Sequence, residues 1–121
     1  MEITDRQLVT ADGMYNSTPG VELTPAGDWL LAYRKGTGHT NSPLIITRRS
    51  SDEGVTWTDE AVVYDDNAGV DPNLFRTPNN ELLMAFVKKN SAGVAGPGFT
   101  RSVDSGMTWG QFHFVSDPPN V

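Results

Sequence analysis

The sequence carries Ser50-Ser51-Asp52-Glu53-Gly54-Val55-Thr56-Trp57 and, later, Ser102-Val103-Asp104-Ser105-Gly106-Met107-Thr108-Trp109. The two octapeptides agree at their Ser, Asp, Gly, Thr and Trp positions, and the interval between them is 104 − 52 = 52 residues. Repetition at a fixed interval of this length indicates an array of similar small units.

The repeat extends upstream of both octapeptides. Pro19-Gly20-Val21-Glu22-Leu23-Thr24-Pro25 aligns with Pro72-Asn73-Leu74-Phe75-Arg76-Thr77-Pro78 at an interval of 53 residues. Leu30-Leu31-Ala32-Tyr33 aligns with Leu83-Met84-Ala85-Phe86 at the same interval. The chain therefore contains two full copies of one unit. The interval is 53 residues for the upstream segments and 52 for the octapeptides, so the two units differ by one residue between these segments.

A partial copy precedes the first full unit. Thr4-Asp5-Arg6-Gln7-Leu8-Val9-Thr10 resembles Thr58-Asp59-Glu60-Ala61-Val62-Val63-Tyr64, which lies late in the first unit. The predicted organisation is a single domain made of residues 1–15 (a partial preceding unit), 16–66 (the first blade-sized unit) and 67–117 (the second).

Each unit is predicted to be a small antiparallel sheet, because its apolar runs are short and separated by Gly, Pro, Asn and Asp. The predicted strands lie near residues 20–24, 28–35, 43–50 and 60–64, and near 72–77, 81–89, 97–103 and 111–116, with an extra N-terminal strand near 6–10. Four strands in about 50 residues is the size of a β-propeller blade. The fold class is therefore predicted to be all-β, with two four-stranded blades.

The octapeptide Ser-x-Asp-x-Gly-x-Thr-Trp resembles the Asp box, or bacterial neuraminidase repeat, and the chain resembles the sialidase-like β-propellers. The resemblance implies that each octapeptide joins the third and fourth strands of a blade, on the face opposite the ligand site. Turn chemistry favours a structural role, since Asp accepts backbone hydrogen bonds, Gly allows positive φ and Trp anchors the hairpin. The residues assigned this role are Ser50, Asp52, Gly54, Thr56, Trp57, Ser102, Asp104, Gly106, Thr108 and Trp109.

Composition excludes several other classes of function. The net charge is −6, from nine basic and fifteen acidic residues, which disfavours nucleic-acid binding. The longest apolar run, Leu82 to Val87, is far below the roughly 20 residues of a membrane-spanning helix. The chain has no cysteine, and Asp65-Asp66-Asn67-Ala68-Gly69 departs from calcium-loop spacing. We predict no metal and no cofactor.

Candidate ligand residues lie where the first strand of each blade begins and the second strand ends. In the resembled family these segments meet around the propeller axis. The candidates are Ser17, Thr18, Asp71 and Asn73 at the first strands, and Arg34, Lys35, His39, Lys88 and Lys89 at the second strands.

Asp71 is the candidate catalytic residue, since Val70-Asp71-Pro72-Asn73 resembles the Asp-Pro at strand starts in other propeller glycosidases. Glycoside hydrolysis requires a second carboxylate at about 5–9 Å, and Thr18 stands at the matching position of the first unit. The arginine that sialidases place at a first-strand start is Ser17 in one unit and Val70 in the other. Arg76 does not supply this arginine, because it aligns beside the turn between the first and second strands, at the opposite end of the blade.

Two blades do not close a ring, so the chain is expected to associate through its exposed faces. Three copies would supply six blades as a homo-trimer, and the remainder of a longer propeller chain is the alternative. Three functions stay open: a carbohydrate-directed module, a structural module without ligand, and a glycoside hydrolase whose site forms across subunits.

Overall fold

The computed structural model describes residues 8–38, 43–65, 70–89 and 91–115. These residues form eight strands and no helix. The strands are β1 (Tyr15–Leu23), β2 (Trp29–Gly36), β3 (Leu44–Ser50), β4 (Ala61–Tyr64), β5 (Val70–Arg76), β6 (Leu82–Lys89), β7 (Ala95–Ser102) and β8 (His113–Phe114). The described part of the chain holds no helix of the length and apolarity that a membrane crossing needs.

The strands form two four-stranded antiparallel sheets in sequence order, β1-β2-β3-β4 and β5-β6-β7-β8. Pro25-Ala26-Gly27 closes the β1–β2 hairpin, where the Gly27 N–H donates to the Thr24 carbonyl at 2.9 Å. The equivalent Asn80 N–H donates to the Thr77 carbonyl at 3.0 Å. The predicted all-β fold of two four-stranded blades is confirmed.

Some predicted strand limits are wrong. β1 begins at Tyr15 and β5 at Val70, earlier than predicted, because both strands continue through a bulge near their start. Within residues 91–115, β8 is shorter than predicted, and its pairs with β7 are Gly98–Phe114 and Phe99–His113. Residues 8–10 of the predicted N-terminal strand are not in a strand, and the rest of it lies outside the described residues.

The main core lies between the two sheets. Leu30, Ala32 and Ile45 of the first sheet are fully buried and pack with residues of the second. Their partners on the second sheet are Leu74, Leu82, Met84 and Phe86. The sheets approach closely at Gly20, where a Cβ atom would lie 3.4 Å from the Pro72 carbonyl oxygen. Two neighbouring blades thus share one apolar interface.

A smaller cluster covers the other face of the first sheet. Leu31, Tyr33 and Ile46 are buried there, and Val9 packs on them from the N-terminal segment. Alternate residues of β2 therefore contact different layers, which explains why its apolar residues are consecutive in the sequence. On β6 the burial alternates instead, with Leu82, Met84 and Phe86 buried and the intervening residues half-buried.

Candidate functional site

The two octapeptides form the same turn at the same end of their sheets. The Ser102 hydroxyl donates to Asp104 Oδ1 at 2.7 Å and accepts from the Gly106 N–H at 2.8 Å. Asp104 also accepts the backbone N–H and the hydroxyl of Thr108, at 2.8 and 2.5 Å. Residues 50–56 repeat these bonds with distances of 2.6–2.8 Å. The hydrogen bonds that the sequence predicts for this turn are present in both units.

These bonds lower the pKa of both aspartates. The Thr108 hydroxyl and N–H, followed by the Ser102 hydroxyl, lower the pKa of Asp104 to about 2. The Thr56 hydroxyl and N–H lower the pKa of Asp52 from its usual value in the same way. Both carboxylates are therefore charged acceptors at neutral pH, and their oxygens are occupied by their own turn.

The two tryptophans of the octapeptides are both half-buried but differ in their bonds. Trp57 Nε1 donates to the Gly54 carbonyl at 3.2 Å and the ring packs beside Ile46. Trp109 packs against the main core, and its Nε1 is buried with no hydrogen-bond partner in the described residues. Both rings pack on an apolar cluster of the fold, which supports a structural role for the turn.

The turn of the second sheet docks on the first sheet. Arg49 donates to the Ser105 carbonyl at 2.7 Å and pairs with Asp28 at 3.2 Å. The Ala26 N–H donates to the Ser105 hydroxyl at 3.1 Å. Arg49 was not among the candidate residues. The sequence does mark it, because the repeat extends one residue upstream of each octapeptide: Arg49 precedes Ser50 as Arg101 precedes Ser102.

The candidate ligand residues lie at the other end of the sheets. Ser17 pairs with Arg34, and Val70 pairs with Val87, so first-strand starts and second-strand ends meet there. Ser50 pairs with Trp29 at the opposite end, where the octapeptide turns begin. The turns are thus separated from this end by the length of the strands.

Equivalent bulges with left-handed backbone occupy this end of β1 and β5. Thr18 has φ of 51° and Asp71 has φ of 55°, and both lie at register shifts in their strands. Left-handed backbone is uncommon for Asp and rare for a β-branched residue such as Thr. Asp71 is exposed, and its carbonyl accepts from the Asn73 side chain at 3.2 Å. The geometry presents the Asp71 carboxylate to solvent at the bulge.

Polar groups beside the first bulge are buried. Arg34 is only 6% exposed, and its guanidinium carbon lies 6.0 Å from the centre of the Tyr15 ring. The Asn16 side-chain oxygen and the Ser17 hydroxyl oxygen are buried without a hydrogen-bond partner in the described residues. A buried oxygen without a partner costs free energy, so such groups often mark the place of a water or ligand.

The structure does not bring the predicted basic residues into one cluster. Lys35 lies on the opposite face of β2 from Arg34, where it pairs with Asp12 and Glu60, each at 2.5 Å. Lys88 Nζ lies over the Tyr64 and Phe112 rings, at 4.9 and 5.5 Å from their centres. Lys89 is exposed at the end of β6. Alternation along a strand explains the separation, since adjacent residues point to opposite faces.

A polar network that the sequence analysis missed ties residues 9–12 to the first sheet. The Tyr33 hydroxyl donates to Glu60 at 2.5 Å and also contacts Thr10 at 3.1 Å. Burial, followed by the bond to Glu60, raises the pKa of Tyr33. Hydrogen bonds to Asp12 and Glu60 raise the pKa of Lys35. The second unit has Phe86 at the position equivalent to Tyr33, so comparison of the two units in the sequence does not indicate this network.

His39 lies outside the described residues, so its predicted role stays untested. Within the described ranges, no group of three or more His, Asp or Glu side chains is placed to hold a metal ion.

The fold is that of known β-propeller enzymes. The chain is similar to a Penicillium chrysogenum α-L-arabinanase solved with arabinobiose, with a TM-score of 0.63 and 26% identity over 80% of this chain and 31% of that one. It is similar to a Dyadobacter fermentans protein of unknown function, with a TM-score of 0.71 and 22% identity over 92% and 38%. A Hadza microbial sialidase gives a TM-score of 0.66 and 19% identity over 84% and 24%.

The chain therefore has the architecture of a sialidase- or glycosidase-like propeller, and it spans well under half the length of each of these three structures. The sequence matches no protein-family model and no curated protein.

Proposed function

We propose that the chain is a carbohydrate-directed module of two β-propeller blades, with its sugar site at the bulge end of β1 and β5. The observation that carries this proposal is the pair of left-handed bulges at Thr18 and Asp71. Among the described residues, the other non-glycine residues with positive φ are in turns, whereas Thr18 and Asp71 are inside strands; the others are Glu53, Asn80 and Ser105. Strained backbone outside turns often marks a functional site. The fold comparison supports the same class, since an arabinanase and a sialidase share this architecture.

Asp71 is the central group of the proposed site. Its exposed carboxylate accepts hydrogen bonds from sugar hydroxyls, and such charge-assisted bonds are stronger than neutral ones. The buried oxygens of Asn16 and Ser17 add acceptors beside the other bulge. Lys35 and Lys88 do not contribute in this proposal, because an ion pair and two aromatic rings already engage them.

We assign the repeated octapeptides to the Asp-box class and the chain to the sialidase-like propellers on the turn geometry described above. We also propose that further blades complete the ring, either from two more copies of the chain or from the remainder of a longer chain. A purely structural module remains the second candidate, which the docking of the second turn on Arg49 favours.

Binding of the protein to a glycan array tests the proposed function. The parent should bind a defined group of glycans, and Asp71→Asn should abolish that binding while retaining the fold. Asp59→Asn is the matched control, since Asp59 is exposed beside the first octapeptide turn at the other end of the sheet. If the parent binds no glycan, or if Asp71→Asn binds like the parent, the structural module is correct.

A further inference from the structure

A socket at the turn end of the first sheet receives the turn of the second sheet. Leu30 contacts Gly106, since a Cβ atom there would lie 2.5 Å from Leu30 Cδ2. Arg49 binds the Ser105 carbonyl and pairs with Asp28. We call this group the first socket, consisting of Asp28, Leu30, Thr47, Arg49, Thr58 and Ala61.

The outer face of the second sheet carries an equivalent socket. Arg101 aligns with Arg49 and pairs with Glu81 at 3.1 Å, as Arg49 pairs with Asp28. Leu83 lies opposite Arg101 on the ladder, as Leu30 lies opposite Arg49. We call this group the second socket, consisting of Glu81, Leu83, Phe99, Arg101, Gly110 and His113.

The two sockets differ in what covers them. The Arg49 side chain is 17% exposed, whereas the Arg101 side chain is 54% exposed. A groove lined by Phe99, Arg101 and His113 opens to solvent at the position where the first socket holds Gly106. The second socket therefore has an arginine–carboxylate pair and a leucine like the first, and no turn of the described residues covers it. Its lining is bulkier, because Phe99 and His113 stand at the positions of Thr47 and Ala61.

The chain also carries a second turn of the shape that fits. Glu53 and Gly54 have φ of 58° and 87°, and Ser105 and Gly106 have φ of 59° and 83°. Val55 is as exposed as its equivalent Met107. The turn Glu53-Gly54-Val55 thus has the backbone conformation of the segment that occupies the first socket. The Trp29 ring of its own sheet lies at Gly54, 2.9 Å from the position of a Cβ atom, so docking of this turn requires Trp29 to move.

We propose that the second socket binds the Glu53-Gly54-Val55 turn of a second copy of this chain, head to tail. Charge complementarity favours this occupant, since Glu53 stands where Ser105 stands in the internal contact and would lie beside Arg101. Arg101 would donate to the Glu53 carbonyl as Arg49 donates to the Ser105 carbonyl. The proposal rests on the blade assembly suggested above and is independent of sugar binding.

The N-terminal segment weakens this association. Val9 and Thr10 lie on the face of the first sheet that a preceding blade would cover, held by the Arg48 bond to the Val9 carbonyl at 3.2 Å and by Tyr33. A docking copy must move this segment aside or displace the short strand β8 of its neighbour. We therefore expect association at micromolar rather than nanomolar concentration.

Cysteine cross-linking tests the contact directly, because the parent has no cysteine. The Ala26 N–H donates to the Ser105 hydroxyl at 3.1 Å, so Ala26→Cys with Ser105→Cys places two thiols at a contact within one chain and is the internal reference pair. The equivalent intermolecular pair is Asn79→Cys with Glu53→Cys. Its oxidation should give a ladder or closed ring of linked chains on a non-reducing gel.

A charge exchange provides a second test that needs no oxidation. Light scattering of the parent should show a mass above 13.2 kDa that Arg101→Glu reduces to the monomer. The double variant Arg101→Glu with Glu53→Arg should restore part of the larger mass, because the attraction between the side chains at 53 and 101 returns while the bond to the carbonyl of residue 53 does not. Arg76→Glu, the same change at the exposed last residue of β5, should leave it unchanged.

A parent that stays monomeric at high micromolar concentration would overturn the proposal and leave the second socket to a further blade of the same polypeptide. Association that persists in Arg101→Glu, or a disulfide only in the internal pair, would also overturn it. A glycan array that fails with the parent tests the sugar proposal alone and has no bearing on this contact.

Discussion

Arg49 of the first sheet donates to the carbonyl oxygen of Ser105, which lies in the turn of the second sheet, at 2.7 Å. The same guanidinium pairs with Asp28 at 3.2 Å. One side chain therefore connects the β1–β2 hairpin of the first sheet with the octapeptide turn of the second. Because the turn contains Gly106 packed on Leu30, the polar bond lies at the edge of the shared apolar core.

Arg49→Ala should destabilise the fold. The substitution leaves the Ser105 carbonyl without its charged donor, and removal of a bond to a charged group costs about 1–3 kcal/mol. The control is Arg101→Ala, because Arg101 is the equivalent residue of the second sheet and its pair with Glu81 is exposed. This variant should change the free energy of unfolding by less than about 1 kcal/mol. Urea unfolding at a protein concentration where the chain is monomeric measures both. Equal effects of the two variants would contradict the role assigned to Arg49.

Gly106→Ala should be more destabilising than Gly93→Ala. Both glycines have φ near +80°, so each alanine carries a backbone cost of roughly 1–2 kcal/mol. At Gly106 the new Cβ would also lie 2.5 Å from Leu30, whereas at Gly93 no atom lies within 4 Å. Overpacking adds about 1–3 kcal/mol. The difference between the two melting curves isolates the close contact between sheets, and identical curves would argue against it.

The sequence predicted the fold because one repeated turn fixes the spacing of all strands. Asp52 and Asp104 mark the third-to-fourth-strand connections, and the aligned segments upstream then place the first two strands of each sheet. The limits of β1 and β5 were harder to predict. Each strand continues through a left-handed residue, and Thr18, which aligns with Asp71, is of a type that rarely adopts this conformation, so the repeat did not indicate the two bulges.

The candidate site was less predictable, because adjacent residues in a strand look alike in sequence but lie on opposite faces. Arg34 and Lys35 are adjacent candidates at the same strand end, yet Arg34 is buried on one face while Lys35 pairs with Asp12 on the other. Asp12 and Glu60 are distant from Lys35 in sequence. Only the tertiary arrangement brings the three side chains together, so no local pattern predicts their contact.

Acid should weaken the octapeptide turns. The folded-state pKa of Asp104 is about 2, below the ordinary value of 3.8, so its charge stabilises the fold fully above pH 3.8 and progressively less as the pH falls toward 2. The melting temperature of the parent should fall across this window. Asp104→Asn should melt lower than the parent at neutral pH, and the difference should shrink in acid. A constant difference at all pH values would contradict the assignment.

Tyr33→Phe should release the N-terminal segment. The Tyr33 hydroxyl contacts Glu60 and Thr10, and the Arg48 Nε donates to it at 3.2 Å. Loss of these bonds should cost about 1–3 kcal/mol and increase amide exchange of residues 9–12 more than that of β6. The opposite change at the equivalent position, Phe86→Tyr, places a hydroxyl in the core between the sheets and should destabilise without affecting residues 9–12. Unchanged exchange in Tyr33→Phe would show that Val9 packing, the Arg48 bond to the Val9 carbonyl and the Lys35–Asp12 pair hold the segment without the Tyr33 hydroxyl.

Thr18→Gly should stabilise the protein, although glycine normally weakens a strand. Thr18 has φ of 51°, a conformation that strains a β-branched residue by roughly 1–3 kcal/mol, whereas glycine adopts it freely. Glycine loses more backbone entropy on folding, about 0.5–1 kcal/mol, so the net gain should be about 1 kcal/mol. Glu22→Gly in the same strand, where φ is not positive, should instead lower the free energy of unfolding by a similar amount. Urea unfolding of the two variants should therefore give opposite signs. If Thr18→Gly is destabilising, the first bulge is not strained, and the argument that links the bulges to a binding site loses its support.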